Sequence, residues 1–200
     1  MMLRRRILLQ PAGELPAGFR KVEYIQSAGQ QAINTGIAAA DDLVCTAEVA
    51  LTSAALGNNR NYVFGVSGGG IRIQYSYSAG AFLGWGSSTT SAVQFAVDTN
   101  KHTATASRQA FTLDGATVFT PTTSIAATTV TLALFARNAG GSLTDFSNGL
   151  KMYGCTIEKA GETVRRFIPC VRIADSIAGF YDVIGKSFYR SAGSGDFLTP

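Results

Sequence analysis

At 200 residues the chain can bury about 70% of its unfolded surface in one core, and β-sandwiches of this size commonly form single domains. Charged residues make up 15% of it, against about 25% in an average soluble protein, so the surface is either partly covered by partners or neutral and exposed. The formal charge is +4, yet Arg4, Arg5 and Arg6 supply three of the 17 basic residues and the remaining 14 nearly balance 13 acids. The folded body therefore lacks the basic stripe of a nucleic-acid binder.

Residues 1 to 14 show no periodic pattern and read as a flexible basic arm, leaving 15 to 200 as a single domain. In an assembly, Arg4, Arg5 and Arg6 could meet acidic groups of a neighbour. Only Ile7-Leu8-Leu9 follow the arginines before Gln10-Pro11, short of the roughly 7 to 15 apolar residues of a signal peptide. No run approaches the roughly 20 apolar residues of a membrane span, so no membrane insertion is expected. The expectation is synthesis in the cytoplasm without a signal peptide, with any extracellular role reached by lysis on a particle.

Strand signals then follow one another. Lys21 to Ser27 and Gln31 to Ile37 read as strands around Ala28-Gly29, with Val22, Tyr24 and Gln26 on one face. Leu43 to Leu51 alternates cleanly, Cys45, Ala47, Val49 and Leu51 against Thr46, Glu48 and Ala50, as a half-buried antiparallel strand does. After the polar loop around Asn59 and Arg60, Tyr62 to Val66 and Ile71 to Tyr77 are strands joined by a hairpin at Gly68-Gly69-Gly70. No phosphate-loop pattern accompanies those glycines. Ala81 to Trp85 and Val93 to Val97 continue the series. Lys101 to Ser107, Ala110 to Leu113 and Thr117 to Phe119 surround Asp114-Gly115, a tight hairpin signal. His102, the only histidine, has no recognisable catalytic partner and reads as structural. Val130 to Ala136 is strongly apolar, and Arg137 to Gly149 reads as a long polar loop.

The stretch from Leu150 to Arg190 organises the rest. Lys151 to Glu158 reads as a deeply covered strand, with Tyr153, Cys155 and Ile157 on one face and Met152, Gly154 and Thr156 on the other. Thr163 to Pro169 is the next strand, ended by a proline that cannot donate to a ladder. The aromatics of Gly179-Phe180-Tyr181-Asp182 and Ser187-Phe188-Tyr189 predict that the C-terminal segment packs back onto the sheet. Cys45, Cys155 and Cys170 read as buried thiols, with a Cys155–Cys170 bridge open if the Cα atoms lie within about 7 Å. No cysteine or histidine cluster points to zinc. Turns every 8 to 12 residues or so predict an all-β, two-sheet antiparallel β-sandwich.

Tyr153-x-Cys155-x-Ile157, Phe167-Ile-Pro-Cys170, Gly179-Phe-Tyr-Asp182 and Phe188-Tyr189 together resemble the C-terminal half of laminin-G-like, concanavalin A-like jelly-roll domains. The opening Leu15-Pro-Ala-Gly-Phe19, Val22-Glu-Tyr-Ile-Gln-Ser27 and Ile33-Asn-Thr-Gly36 is similar to the start of the same domains, so the likeness brackets residues 15 to 197. Such domains occur in phages and prophages of gut bacteria. The resemblance implies a concanavalin A-like jelly roll on a virion, made in a bacterial cytoplasm and partnered by copies of itself or by other virion proteins.

Glucanases with this fold carry clustered acids of the form Glu-x-Asp-x-x-Glu, a spacing missing here. Sugar recognition without catalysis needs aromatic faces and planar polar groups. Trp85, Asn59, Arg60, Asn138, Asp145 and Asn148 supply them, while Tyr75 and Tyr77 align with core positions. The resemblance also implies calcium at the sandwich rim in some such domains, held by Asp and Asn oxygens to which Asp145 and Asn148 could contribute, but no dense acidic loop accompanies them, so neither a metal nor another cofactor is expected. The expectation is a non-catalytic virion structural protein with a lectin-like adhesion domain. A glucanase-type hydrolase and a purely structural oligomerising scaffold stand as alternatives.

Overall fold

The computed structural model describes residues 15–53, 61–76, 80–93 and 98–200. The predicted assembly residues Arg4, Arg5 and Arg6 and the loop residues Asn59 and Arg60 lie outside the described residues. Two antiparallel sheets face each other as a β-sandwich of the jelly-roll kind, with no helix among the described residues.

The longer sheet runs β11 (Ala116–Phe119), β10 (Phe111–Leu113), β9 (His102–Ser107), β4 (Leu43–Leu51), β15 (Asn148–Lys159), β16 (Glu162–Arg172), β17 (Ile177–Asp182), β18 (Ser187–Arg190). Two short strands join it, β1 (Phe19–Lys21) beside β16 and β2 (Ile25–Ala28) beside β15. The shorter sheet runs β3 (Ile33–Ala38), β12 (Thr131–Leu134), β5 (Asn61–Gly65), β6 (Ile71–Ser76), β7 (Gly80–Trp85), β8 (Ser88–Val93).

Period-two alternation carries the core. In β4 it turns Cys45, Ala47, Val49 and Leu51 inward, where they meet Ile71, Ile73, Leu83, Leu132 and Leu134 of the shorter sheet in one hydrophobic cluster. Each valine, leucine or isoleucine among them contributes about 1.5–3 kcal/mol on burial. The C-terminal segment closes the sandwich as predicted: Phe197 is buried, and Leu198 bridges to Gln26 of β2.

Several predicted groupings are corrected. Lys21 to Ser27 is not one strand, because the chain leaves β16 after Lys21 and joins β15 at Ile25. That change of partner separates Val22, which enters the core, from Tyr24, which packs on Tyr153. In β15 the register against β4 slips between Met152 and Gly154, so one extra residue resets the alternation. Leu150 and Met152 face the core, as do Cys155 and Ile157, whereas Tyr153 parts from Cys155 and lies on Tyr24.

Pro169 does not end its strand; β16 continues to Arg172. The β15 ladder stops at Phe167 and the β1 ladder starts at Cys170, so Pro169 sits where one neighbour has left and the next has yet to arrive. Its carbonyl accepts the Val22 N–H at 3.1 Å, and no N–H is needed on that side. The predicted loop from Arg137 to Gly149 contains a hairpin, β13 (Arg137–Ala139) with β14 (Ser142–Thr144). All three cysteines are free and buried. Burial pushes the Cys45 thiol up to about 12 and Cys170 to about 11.

Candidate functional site

Alternation that fills the core from one face of the longer sheet sets polar groups on the other. Thr46 and Glu48 leave β4 outward, Thr103 and Thr105 leave β9, Thr156 leaves β15, and Arg166 leaves β16. The bulge in β15 then presents Gly154, which has no side chain, between Glu48 and the Phe167 carbonyl. The result is an open groove of about 300 Å³ lined by Thr46, Glu48, Thr103, Gly154, Thr156 and Arg166 among others.

Hydroxyls dominate its floor. Thr46 and Thr105 share a hydrogen bond of 3.1 Å between their Oγ1 atoms. Lys101 Nζ lies 3.4 Å from Glu48 Oε2, and the same ammonium sits 5.2 Å from the centre of the Tyr153 ring. Tyr153 meets Tyr24 edge-on at 5.4 Å, and Lys151 Nζ lies 4.5 Å over Tyr24. A strip of hydroxyls, one carboxylate, a guanidinium and two half-buried tyrosines thus crosses the outer face. Glycosidic hydrolysis uses two carboxyl groups, and Glu48 is the one carboxylate among the described residues lining the groove.

At the edge of this strip, His102 is clamped between two acids. Its Nδ1 lies 2.7 Å from Asp114 Oδ2 and its Nε2 2.9 Å from Asp98 Oδ1. Partial burial of the ring pulls its pKa down, but the hydrogen bonds to Asp114 and Asp98 outweigh that and raise it above the usual value. The same bonds to His102 hold both carboxyls below the ordinary carboxylate range.

The sequence-predicted residues fall elsewhere. Trp85 is fully buried, so its predicted role as a sugar-stacking face is corrected. It shares the inward face of β7 with Ala81 and Leu83, its Nε1 donates to Asp41 Oδ1 at 2.9 Å, and its ring meets Phe111 edge-on. The i, i+2, i+4 spacing with Ala81 and Leu83 was the signal that marks it as core. Burial pushes the Asp41 carboxyl up, but hydrogen bonds from the Ile125 N–H and the indole outweigh it and leave the pKa lowered.

Asn138 is likewise buried: its Nδ2 donates to the Thr131 carbonyl at 2.9 Å and its Oδ1 accepts the Gly141 N–H at 2.8 Å, so the carboxamide ties β13 to β12. Its predicted ligand role is corrected on the same ground, since both ends of the amide are spent inside the fold. Asp145 pairs with Arg137 at 2.8 Å across that hairpin, and Asn148 is exposed at the start of β15. Trp85 and Asn138 therefore serve separate turns and converge on no common surface. The groove residues were missed because threonines on a strand read as ordinary outward positions, and the bulge that opens the floor leaves no mark in composition.

No family model, curated protein or solved structure matches the chain.

Proposed function

We propose that the chain is a non-catalytic, carbohydrate-binding structural protein of a phage or prophage particle, holding glycans on the outer face of its longer sheet. One observation carries the binding half of this reading: the groove offers Thr46, Thr103 and Thr156 hydroxyls with Glu48 and Arg166, beside the Tyr24–Tyr153 pair. Sugar hydroxyls are met by such donor and acceptor groups, and sugar C–H faces by tyrosine rings. Among the described residues one carboxylate lines the groove, which favours holding a glycan over cleaving one. The particle half rests on the resemblance to phage and prophage domains and on the low charge of the chain, 15% of residues.

A glycan array probed with the whole protein tests the binding half, with Thr156→Ala and Arg166→Ala beside it. Binding of at least one glycan class, weakened in both variants, is expected. Retention of full binding in both variants sinks the groove as the site, and failure to bind any glycan sinks the carbohydrate reading. Release of reducing ends from a bound polysaccharide would return the protein to the hydrolases.

A further inference from the structure

We propose that His102, Asp98 and Asp114 form a proton-operated clasp that fastens the edge of the longer sheet when the ring is charged and slackens it when the ring is neutral. Both ring nitrogens lie within hydrogen-bond distance of a carboxylate oxygen, 2.7 Å to Asp114 and 2.9 Å to Asp98. A neutral imidazole has one N–H and one lone pair, and an ionised carboxylate only accepts. Both contacts are therefore hydrogen bonds only while the ring carries two protons. Removing one leaves a nitrogen lone pair facing a carboxylate oxygen, and that contact turns repulsive.

The two acids also hold backbone. Asp114 Oδ1 accepts the Thr103 N–H at 2.8 Å, and Asp98 Oδ1 accepts the Asn100 N–H at 2.8 Å. Asp114 sits at positive φ, 49°, in the turn between β10 and β11. The ring thus joins the segment entering β9 to the turn leaving β10, two pieces of chain at the margin of the sheet. Of the other charged groups nearby, Lys101 adjoins the ring in sequence and pairs with Glu48 of β4 at 3.4 Å, and its ammonium also lies over Tyr153 of β15. β10 and β11 contribute no charged side chain.

The direction of the response follows from linkage. A histidine whose folded pKa is raised adds stability fully below its unfolded value, near 6.5, and loses it as pH rises through the folded value. The lowered pKa values of Asp98 and Asp114 add stability above the ordinary carboxyl value, lost as pH falls through their folded values. The clasp is tightest between those limits and slackens toward alkaline pH. Thr103 and Glu48 line the groove, so slackening loosens one of its walls. That last consequence, and only it, rests on the carbohydrate reading.

His102 is the single histidine of the chain, so its ring resonances report alone in a proton NMR titration of the intact protein. The expected result is a midpoint above 6.5, moved down in Asp98→Asn, an exposed-site change that leaves the core untouched. Amide exchange at Thr103 and Asp114, divided by the intrinsic base-catalysed rate, should rise over the same pH interval and become flat in His102→Gln. A midpoint at or below 6.5 in the native protein overturns the clasp. So does pH-dependent loosening that persists in His102→Gln. Glycan affinity measured on both sides of the midpoint should be weaker on the alkaline side; equal affinity overturns the coupling to the groove. Absence of glycan binding at every pH refutes the carbohydrate reading alone, since the ring titration decides the clasp.

Discussion

Asp182 shows how one buried acid can hold a turn and join two layers. It is fully buried, its Oδ1 accepts the Arg166 and Ile184 N–H groups at 3.0 and 3.1 Å, and its Oδ2 accepts the Gly185 N–H at 3.1 Å. Arg165 Nε stands 3.5 Å from the same Oδ2 and donates to the Thr35 carbonyl of β3 at 3.2 Å, which links the longer sheet to the shorter. Removing a partner from such a buried set leaves uncompensated charge and unpaired N–H groups, so Asp182→Ala should cost about 3–5 kcal/mol in urea denaturation. A loss under about 1 kcal/mol would show the acid to be dispensable. Trp85, the one tryptophan, gives a second residue-scale prediction. Its emission should be blue-shifted and insensitive to iodide and to added glycan. Asp41→Ala, which orphans both the indole and Ile125 N–H groups, should lower stability by about 1–3 kcal/mol. Reading Trp85 as a surface aromatic weighed residue type over position, and position decides: in β7 it aligns with Ala81 and Leu83.

At the scale of elements, alternation was legible wherever a strand keeps one partner on each side. β4 matches its predicted limits, Leu43 to Leu51, with the predicted inward set. The hairpin at Asp114-Gly115 also falls where the dipeptide places it. Reading failed where a strand exchanges partners or gains a residue: at β1 and β2, at Pro169 in β16, and at the bulge in β15. Such events depend on neighbours distant in sequence, so no local pattern records them. The groove owes its floor to the last of these. A Cβ on Gly154 would stand 3.5 Å from the Phe167 carbonyl oxygen, an ordinary contact, and no positive φ is recorded there. Gly154→Val should therefore leave stability within about 1 kcal/mol, since β-branched residues suit strands. It should also fill the floor and weaken glycan binding about tenfold or more, the equivalent of roughly 1.4 kcal/mol. Calorimetric binding unchanged by the valine would move the ligand site off the groove.

For the molecule as a whole, the question is what joins the two sheets beyond the hydrophobic core they share. The chain answers with its last ten residues. Ala192 N–H donates to the Ala32 carbonyl at 2.8 Å, and Leu198 exchanges backbone bonds with Gln26 at 2.9 and 3.0 Å, fastening the segment beside β2. Gly193 passes so close to Gln30 that a Cβ would overlap its carbonyl oxygen, a fit open only to glycine. Phe197 is then delivered into the interior against Phe135, ring centres 4.9 Å apart, and Phe135 stacks in turn on Phe180 of β17. Because Phe135 follows β12 of the shorter sheet and β2 belongs to the longer, the C-terminal segment spans both layers. Sequence reading anticipated that this end packs back, from its aromatics, but could not assign Phe197 its contact, which joins residues 62 apart. Phe197→Ala should cost about 3–5 kcal/mol, the range for a large core aromatic. A conservative Phe197→Leu should recover most of that, because volume and apolarity carry the effect. Thermal and urea denaturation of the two variants measure both. If alanine proves as stable as the native protein, the C-terminal segment is an ornament on a sandwich that closes without it, and the sheets must be held by the rest of the shared hydrophobic core alone.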